Sequence, residues 1–133
     1  MNALNNAGGC GGEGKAAPVP NEHGVYAKED GEVIRWPGSK NYLLYVEISV
    51  LSVDGVWLSA ADYTVGNGGG GEPLMKRHRE PDFTSRAAAI AHAAGGLIRR
   101  LERNDDRHAA AVREWLESLT VAPAQLDMFS EAA

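Results

Sequence analysis

The chain holds one cysteine in 133 residues, Cys10, set among glycines in Gly8-Gly9-Cys10-Gly11-Gly12. A lone cysteine excludes an internal disulfide framework and fits a free thiol in a reducing compartment. Long hydrophobic runs are missing too. The most apolar stretch, Tyr42 to Leu51, is interrupted by Glu47 and Ser49, far short of the roughly 20 apolar residues that a membrane helix needs. The first 20 residues contain no basic region leading into an apolar run, so no signal peptide is expected and the predicted location is the cytoplasm, away from membranes. Positive charge is scarce overall: 13 Lys and Arg against 18 Asp and Glu leave a net charge of −5. The chain as a whole is therefore not a general polyanion binder.

Catalytic constellations are also absent. His23, His78, His92 and His108 show no metal-ligand spacing, and the helical His92 and His108 have no carboxylate or cysteine at i+3 or i+4 to complete a ligand pair. No serine lies in a nucleophile elbow, and Cys10 has no positioned base. Asp105-Asp106 fits helix capping better than acid–base work. The glycine run satisfies G-x-G-x-x-G from Gly66 to Gly71, but Glu72-Pro73 follows it. A dinucleotide site needs a helix to open there, and a P-loop needs Lys-Ser or Lys-Thr. The run is expected to be a flexible loop, and the protein a non-enzyme without cofactor or metal.

What is present reads as one small domain. An apolar fraction of 44% supports a modest core. Residues 1–21, rich in Gly, Ala, Asn and Pro, are expected to be a disordered tail. Val25-Tyr26-Ala27 and Val33-Ile34-Arg35-Trp36 read as a hairpin around Asp30-Gly31. Residues 42–51 read as a central strand: Tyr42, Leu44, Val46, Ile48 and Val50 share one face, and Leu43, Tyr45 and Leu51 put apolar groups on the other. After the Asp54-Gly55 turn, Val56-Trp57-Leu58 opens a fourth strand reaching about Val65. Residues 66–82 break all periodicity, a long connection for a compact domain.

Thr84 or Ser85 can cap a helix over about 84–103, with Ala87, Ile90, Ala94, Leu97 and Leu101 on one face. Asn104-Asp105-Asp106 starts a second helix over 106–119, and Pro123 stops it. The predicted architecture is an α+β domain over 22–119: an antiparallel sheet of about four strands, then two helices packed on one face. Residues 120–133 are expected to be a flexible tail.

Two features point to partners. Residues 74–113 hold nine Lys and Arg against five acids, so charge is segregated into a basic loop-plus-helix segment with an excess of four. Lys76, Arg77, Arg79 and Arg86 are its densest part and suit weak phosphate contacts with DNA, which need a local excess and not a basic whole-chain pI. Trp57, Tyr63 and Phe83 flank the segment and read as core residues before stacking platforms.

The second feature is Gln125-Leu126-Asp127-Met128-Phe129 in the tail. This pentapeptide resembles the motif by which bacterial proteins dock on the β sliding clamp of DNA polymerase III: glutamine, leucine, serine or aspartate, a leucine-like residue, then phenylalanine. Met128 stands where leucine is commonest, and its unbranched side chain fills a similar apolar slot. The resemblance covers these five residues only. It implies that Leu126, Met128 and Phe129 enter an apolar groove, Gln125 supplies oriented hydrogen bonds and Asp127 stays near the rim. Burial of each anchor is worth roughly 1.5–3 kcal/mol before the cost of ordering the tail, in keeping with about micromolar affinity. The expected function is a non-enzymatic accessory or regulatory protein of bacterial DNA replication or repair, or of a mobile genetic element, recruited to the clamp. The alternative is a small interaction or inhibitor protein of phage or plasmid type, binding another protein or nucleoprotein complex through its sheet or basic loop.

Overall fold

The computed structural model describes residues 17–77 and 81–132, with side chains as far as Thr120. The N-terminal residues 1–16, with Cys10, lie outside the described residues. The fold is α+β: a four-stranded antiparallel sheet with two helices on one face and a small two-stranded ribbon on the other.

Strands β3 (Tyr45–Val53) and β4 (Val56–Val65) form the centre of the sheet and pair along their whole length. Their turn is Asp54-Gly55, with φ of 54° and 84°, the left-handed pair that a two-residue hairpin turn requires. β3 is apolar on both faces, as its sequence predicts. Val46, Ile48 and Val50 are fully buried under the helices, while Leu51 and Val53 face the ribbon. The strand starts later than the predicted residue 42. Asn41 Oδ1 accepts the Leu43 N–H at 2.8 Å and Asn41 bridges to Leu44. That local turn consumes the backbone groups a longer strand would use and leaves Tyr42 and Leu43 exposed.

The expected hairpin of 25–27 with 33–36 does not form. Lys28–Asp30 make a 3-10 turn; β2 (Glu32–Arg35) joins β3 at the sheet edge, and β1 (Val25–Tyr26) crosses to the far face. There it pairs with β6 (Leu74–Met75). The crossing buries Tyr26 with Leu51, Val53, Leu58, Ala60 and Leu74, apolar surface that a hairpin at the edge would have left open to water.

The glycine run is a correction of a different kind. The glycine run 66–71, predicted to be a flexible loop, contains an edge strand, β5 (Gly68–Gly71), paired antiparallel with β4, and the aperiodic connection 66–82 also holds β6. Gly66-Asn67 make the turn, with Gly66 at a φ of 61°. Backbone hydrogen bonds alone hold β5, so the sequence shows no side-chain alternation for it.

Helix α1 (Arg86–Leu101) lies across β3 and β4. Ser85 caps it by accepting the Ala88 N–H at 3.0 Å. Ala89, Ile90, Ala93, Ala94, Leu97 and Leu101 are its buried side. Asp106 prepares the second helix, its Oδ1 accepting the His108 N–H at 2.8 Å. Helix α2 (Ala109–Ala132) packs on α1, and Ala109, Val112 and Leu116 join the same core. Its backbone continues through Pro123, past the predicted stop, in a stretch whose Ala122, Ala124, Gln125 and Leu126 favour helix. The side chains of the pentapeptide 125–129 lie outside the described residues.

Candidate functional site

The basic loop leaves β6 and is tied back to the sheet before α1 begins. The tie is a bridge between Trp57 and Phe83: the Trp57 N–H donates to the Phe83 carbonyl at 2.8 Å and the Phe83 N–H returns to Trp57 at 3.2 Å. Arg77 braces the loop from within. Its N–H donates to Asp82 Oδ1 at 2.9 Å, its Nη1 to the Pro81 carbonyl at 3.1 Å, and its guanidinium stands 4.7 Å over the Phe83 ring, a cation–π contact. Phe83 in turn meets the His92 ring of α1 at 4.8 Å. Arg79, with His78 and Glu80, lies outside the described residues.

The two outer cations of the predicted phosphate surface already hold carboxylates. Lys76 Nζ donates to Asp54 Oδ2 in the β3–β4 turn at 3.1 Å, and that hydrogen bond holds the ammonium above its ordinary pKa. Arg86 forms a two-pronged pair with Glu32 of β2, Nε to Oε1 at 2.7 Å and Nη2 to Oε2 at 2.6 Å. The guanidinium lowers the Glu32 pKa, mainly through this hydrogen bond, and the Arg86 pKa rises in return. Lys76, Arg77 and Arg86 are therefore brought onto one loop and helix start, each with an intramolecular role. A phosphate binding there has to displace Asp54 or Glu32, or share their cations.

The aromatics divide as their sequence suggests. Tyr63 is core at 7% exposure, and Trp57 and Phe83 are half-buried against the helix-side cluster. His108 sits edge-on to Trp36 at 6.2 Å. Among the described residues no three His, Cys, Asp or Glu side chains converge on a metal-sized site, and no helix is long and apolar enough to cross a membrane.

One grouping escapes the sequence. Arg99, Arg100 and Arg103 count toward the basic segment, yet only the fold brings them beside β5. Arg100 Nη2 donates to Glu72 Oε2 at 2.9 Å just past the glycine strand, and Asn104 Nδ2 donates to the Val65 carbonyl at 2.9 Å at its other end. The count of these arginines in the basic segment was legible; the strand beside them was not. No family model, curated protein or solved structure matches the chain.

Proposed function

We propose that this protein is a non-enzymatic accessory or regulatory protein of bacterial DNA replication or repair, or of a mobile element, that docks on the β sliding clamp through Gln125, Leu126, Asp127, Met128 and Phe129. The pentapeptide itself carries the reading, with four of its five residues matching the clamp motif directly. The chemistry of α2 supports it. Among the described residues Ala109, Val112, Trp115, Leu116 and Leu119 are the side chains this helix gives to the core, and all of them come before Pro123. Proline has no N–H to donate to the Leu119 carbonyl, and an interior proline costs a helix about 3 kcal/mol. The turns after it are consequently cheap to unwind onto a groove that offers slots for Leu126, Met128 and Phe129.

The test is binding of the full chain to purified bacterial clamp held on a sensor surface. The expected result is affinity near 1 μM, about −8 kcal/mol, abolished by Gln125→Ala with Phe129→Ala. Wild-type protein that fails to bind the clamp overturns the reading.

Weak DNA contacts through Lys76, Arg77, Arg79 and Arg86 belong to the same proposal. They should appear only at low salt, and neutralising Lys76, Arg77 and Arg79 should lower the salt slope by up to about 0.9 per lost phosphate contact. Absence of duplex binding at low salt leaves the loop a purely structural brace.

A further inference from the structure

The sheet order β2-β3-β4-β5 leaves two outer edges, and they are built differently. The β2 edge carries exposed Glu32 and Arg35 and runs into Pro37, the charges and proline that discourage a further strand. The β5 edge has neither. It is Gly68-Gly69-Gly70-Gly71, exposed from Gly69 onward, and among the described residues no strand lies beyond it.

Its register fixes which backbone groups are free. β5 pairs Asp62 with Gly71, Tyr63 with Gly70, Thr64 with Gly69 and Val65 with Gly68, and the Glu72 N–H donates to the Ala61 carbonyl at 2.9 Å. Hydrogen-bonded and non-bonded pairs alternate in an antiparallel ladder. Gly70 and Gly68 therefore bond inward to β4, while Gly69 and Gly71 direct their N–H and C=O groups out of the sheet. These two donor–acceptor pairs repeat at about 6.5–7 Å, the two-residue spacing of a strand.

Arginines flank this edge on the helix side. Arg99 and Arg100 line a cleft of about 250 Å³ with Glu72 and His92. Arg100 and Arg103 line a neighbouring one of about 260 Å³ with Gly68, Asn104 and Asp105. Arg100 forms the wall between them and is held by Glu72. Arg99 and Arg103 are exposed and have no ion-pair partner among the described residues. A Cβ at Gly70 would stand 3.9 Å from Arg100 Nη1, which places that guanidinium directly beside the glycine strand.

We propose that the β5 edge is a docking site for an extended acidic peptide of a partner protein, added as a further antiparallel or parallel strand with its carboxylates reaching Arg99 and Arg103. The ladder selects a peptide over a phosphodiester strand. A peptide backbone answers the outward N–H groups with carbonyls and the outward carbonyls with N–H groups. Phosphate oxygens only accept, and would leave the Gly69 and Gly71 carbonyls facing negative charge. A second copy of this chain is disfavoured, because two-fold pairing of β5 with β5 would bring both sets of arginines together along the joint. The site uses no residue of the clamp-docking peptide and stands or falls apart from it.

The experiment is a titration of isotope-labelled full-length protein with an end-capped hexapeptide alternating glutamate and valine, followed at the backbone amides. Gly69 and Gly71 amides should exchange freely in the unbound protein, then shift and gain protection as the peptide is added. Arg99→Glu with Arg103→Glu, both exposed, the first on α1 and the second in the turn after it, should weaken binding at least tenfold. Gly69→Pro should do the same by removing one outward N–H and no inward hydrogen bond; the charge-reversed pair keeps the test open if that proline disturbs the strand. Failure of the acidic peptide to bind overturns the proposal. So does equal binding of the lysine–valine counterpart, or binding that the charge reversal leaves unchanged. Tighter binding of oligothymidylate at the same amides would overturn it in favour of a phosphodiester ligand.

Discussion

In the proposed function helix α2 does two jobs, core packing and clamp docking, and two variants separate them. Leu116 is fully buried where α2 meets α1 and the sheet. Leu116→Ala removes buried methyl groups and leaves a cavity, at a cost of about 2–5 kcal/mol. In a folded body of this size 1 kcal/mol displaces the melting temperature by roughly 4–8 °C, so the loss should be at least about 8 °C. Gln125→Ala with Phe129→Ala, further along the same helix, should leave the melting temperature within about 4 °C of wild type, the ordinary range for substitutions outside the core.

Clamp affinity should move the opposite way. The Leu116 variant, measured below its melting temperature, should bind as wild type does, whereas the double variant should not bind. Scanning fluorimetry and sensor binding on the same preparations give both numbers. A Phe129 side chain packed into the body would cost about 3–5 kcal/mol when truncated. A drop in melting temperature of that size for the double variant would show that residues 125–129 belong to the core, and would refute the division of α2.

Three further outcomes follow from the geometry. Ser49 is 1% exposed, and among the described residues its Oγ makes no hydrogen bond; Ser49→Ala should raise stability by up to about 1 kcal/mol in chemical denaturation, and a loss of more than that would mean the hydroxyl has a partner. Glu32 has its pKa lowered from 4.5 by Arg86, so its contribution is fully present above that value and fades as pH falls through the folded-state pKa. Because the pair is half-exposed, Glu32→Gln should flatten only a small part of the acid-side loss, under about 1 kcal/mol at neutral pH, read from denaturation at a series of pH values. Gly66→Ala should destabilise by more than about 1 kcal/mol, because its φ is left-handed and the new Cβ would lie 2.8 Å from the Asp106 side chain that prepares α2; a neutral result would show that the turn and Asp106 move apart freely.

Legibility followed the side chains. The apolar alternation of β3, the Asp54-Gly55 turn, the Ser85 cap and the buried stripe of α1 were all readable, because each is written in residue type at fixed spacing. The partner of β1 was not. Val25-Tyr26 lies next in sequence to β2, and only the need to cover Leu51, Val53, Leu58 and Ala60 sends it across to Leu74-Met75. β5 was unreadable for a different reason: glycine has no side chain to alternate, so a strand held by backbone bonds looks like a loop. For the basic loop, the sequence supplies the cations and the fold supplies their partners. Asp54 lies in a turn and Glu32 on an edge strand, and nothing in their local sequence links them to Lys76 or Arg86.

The same logic distinguishes the two charged regions as proposed binding surfaces. At the basic loop the cations close the protein on itself: Lys76 ties the loop to the β3–β4 turn, and Arg86 ties the start of α1 to β2. Removing either carboxylate would free a cation but also loosen the tie it makes, of the loop to the β3–β4 turn or of α1 to β2, so binding and stability are coupled there. At the β5 edge they are not coupled. Arg99 and Arg103 hold no part of the fold together by an ion pair among the described residues, and the outward groups of Gly69 and Gly71 are spare to the ladder. A surface whose donors, acceptors and charges are all surplus to folding can take a ligand without loosening the structure that presents it.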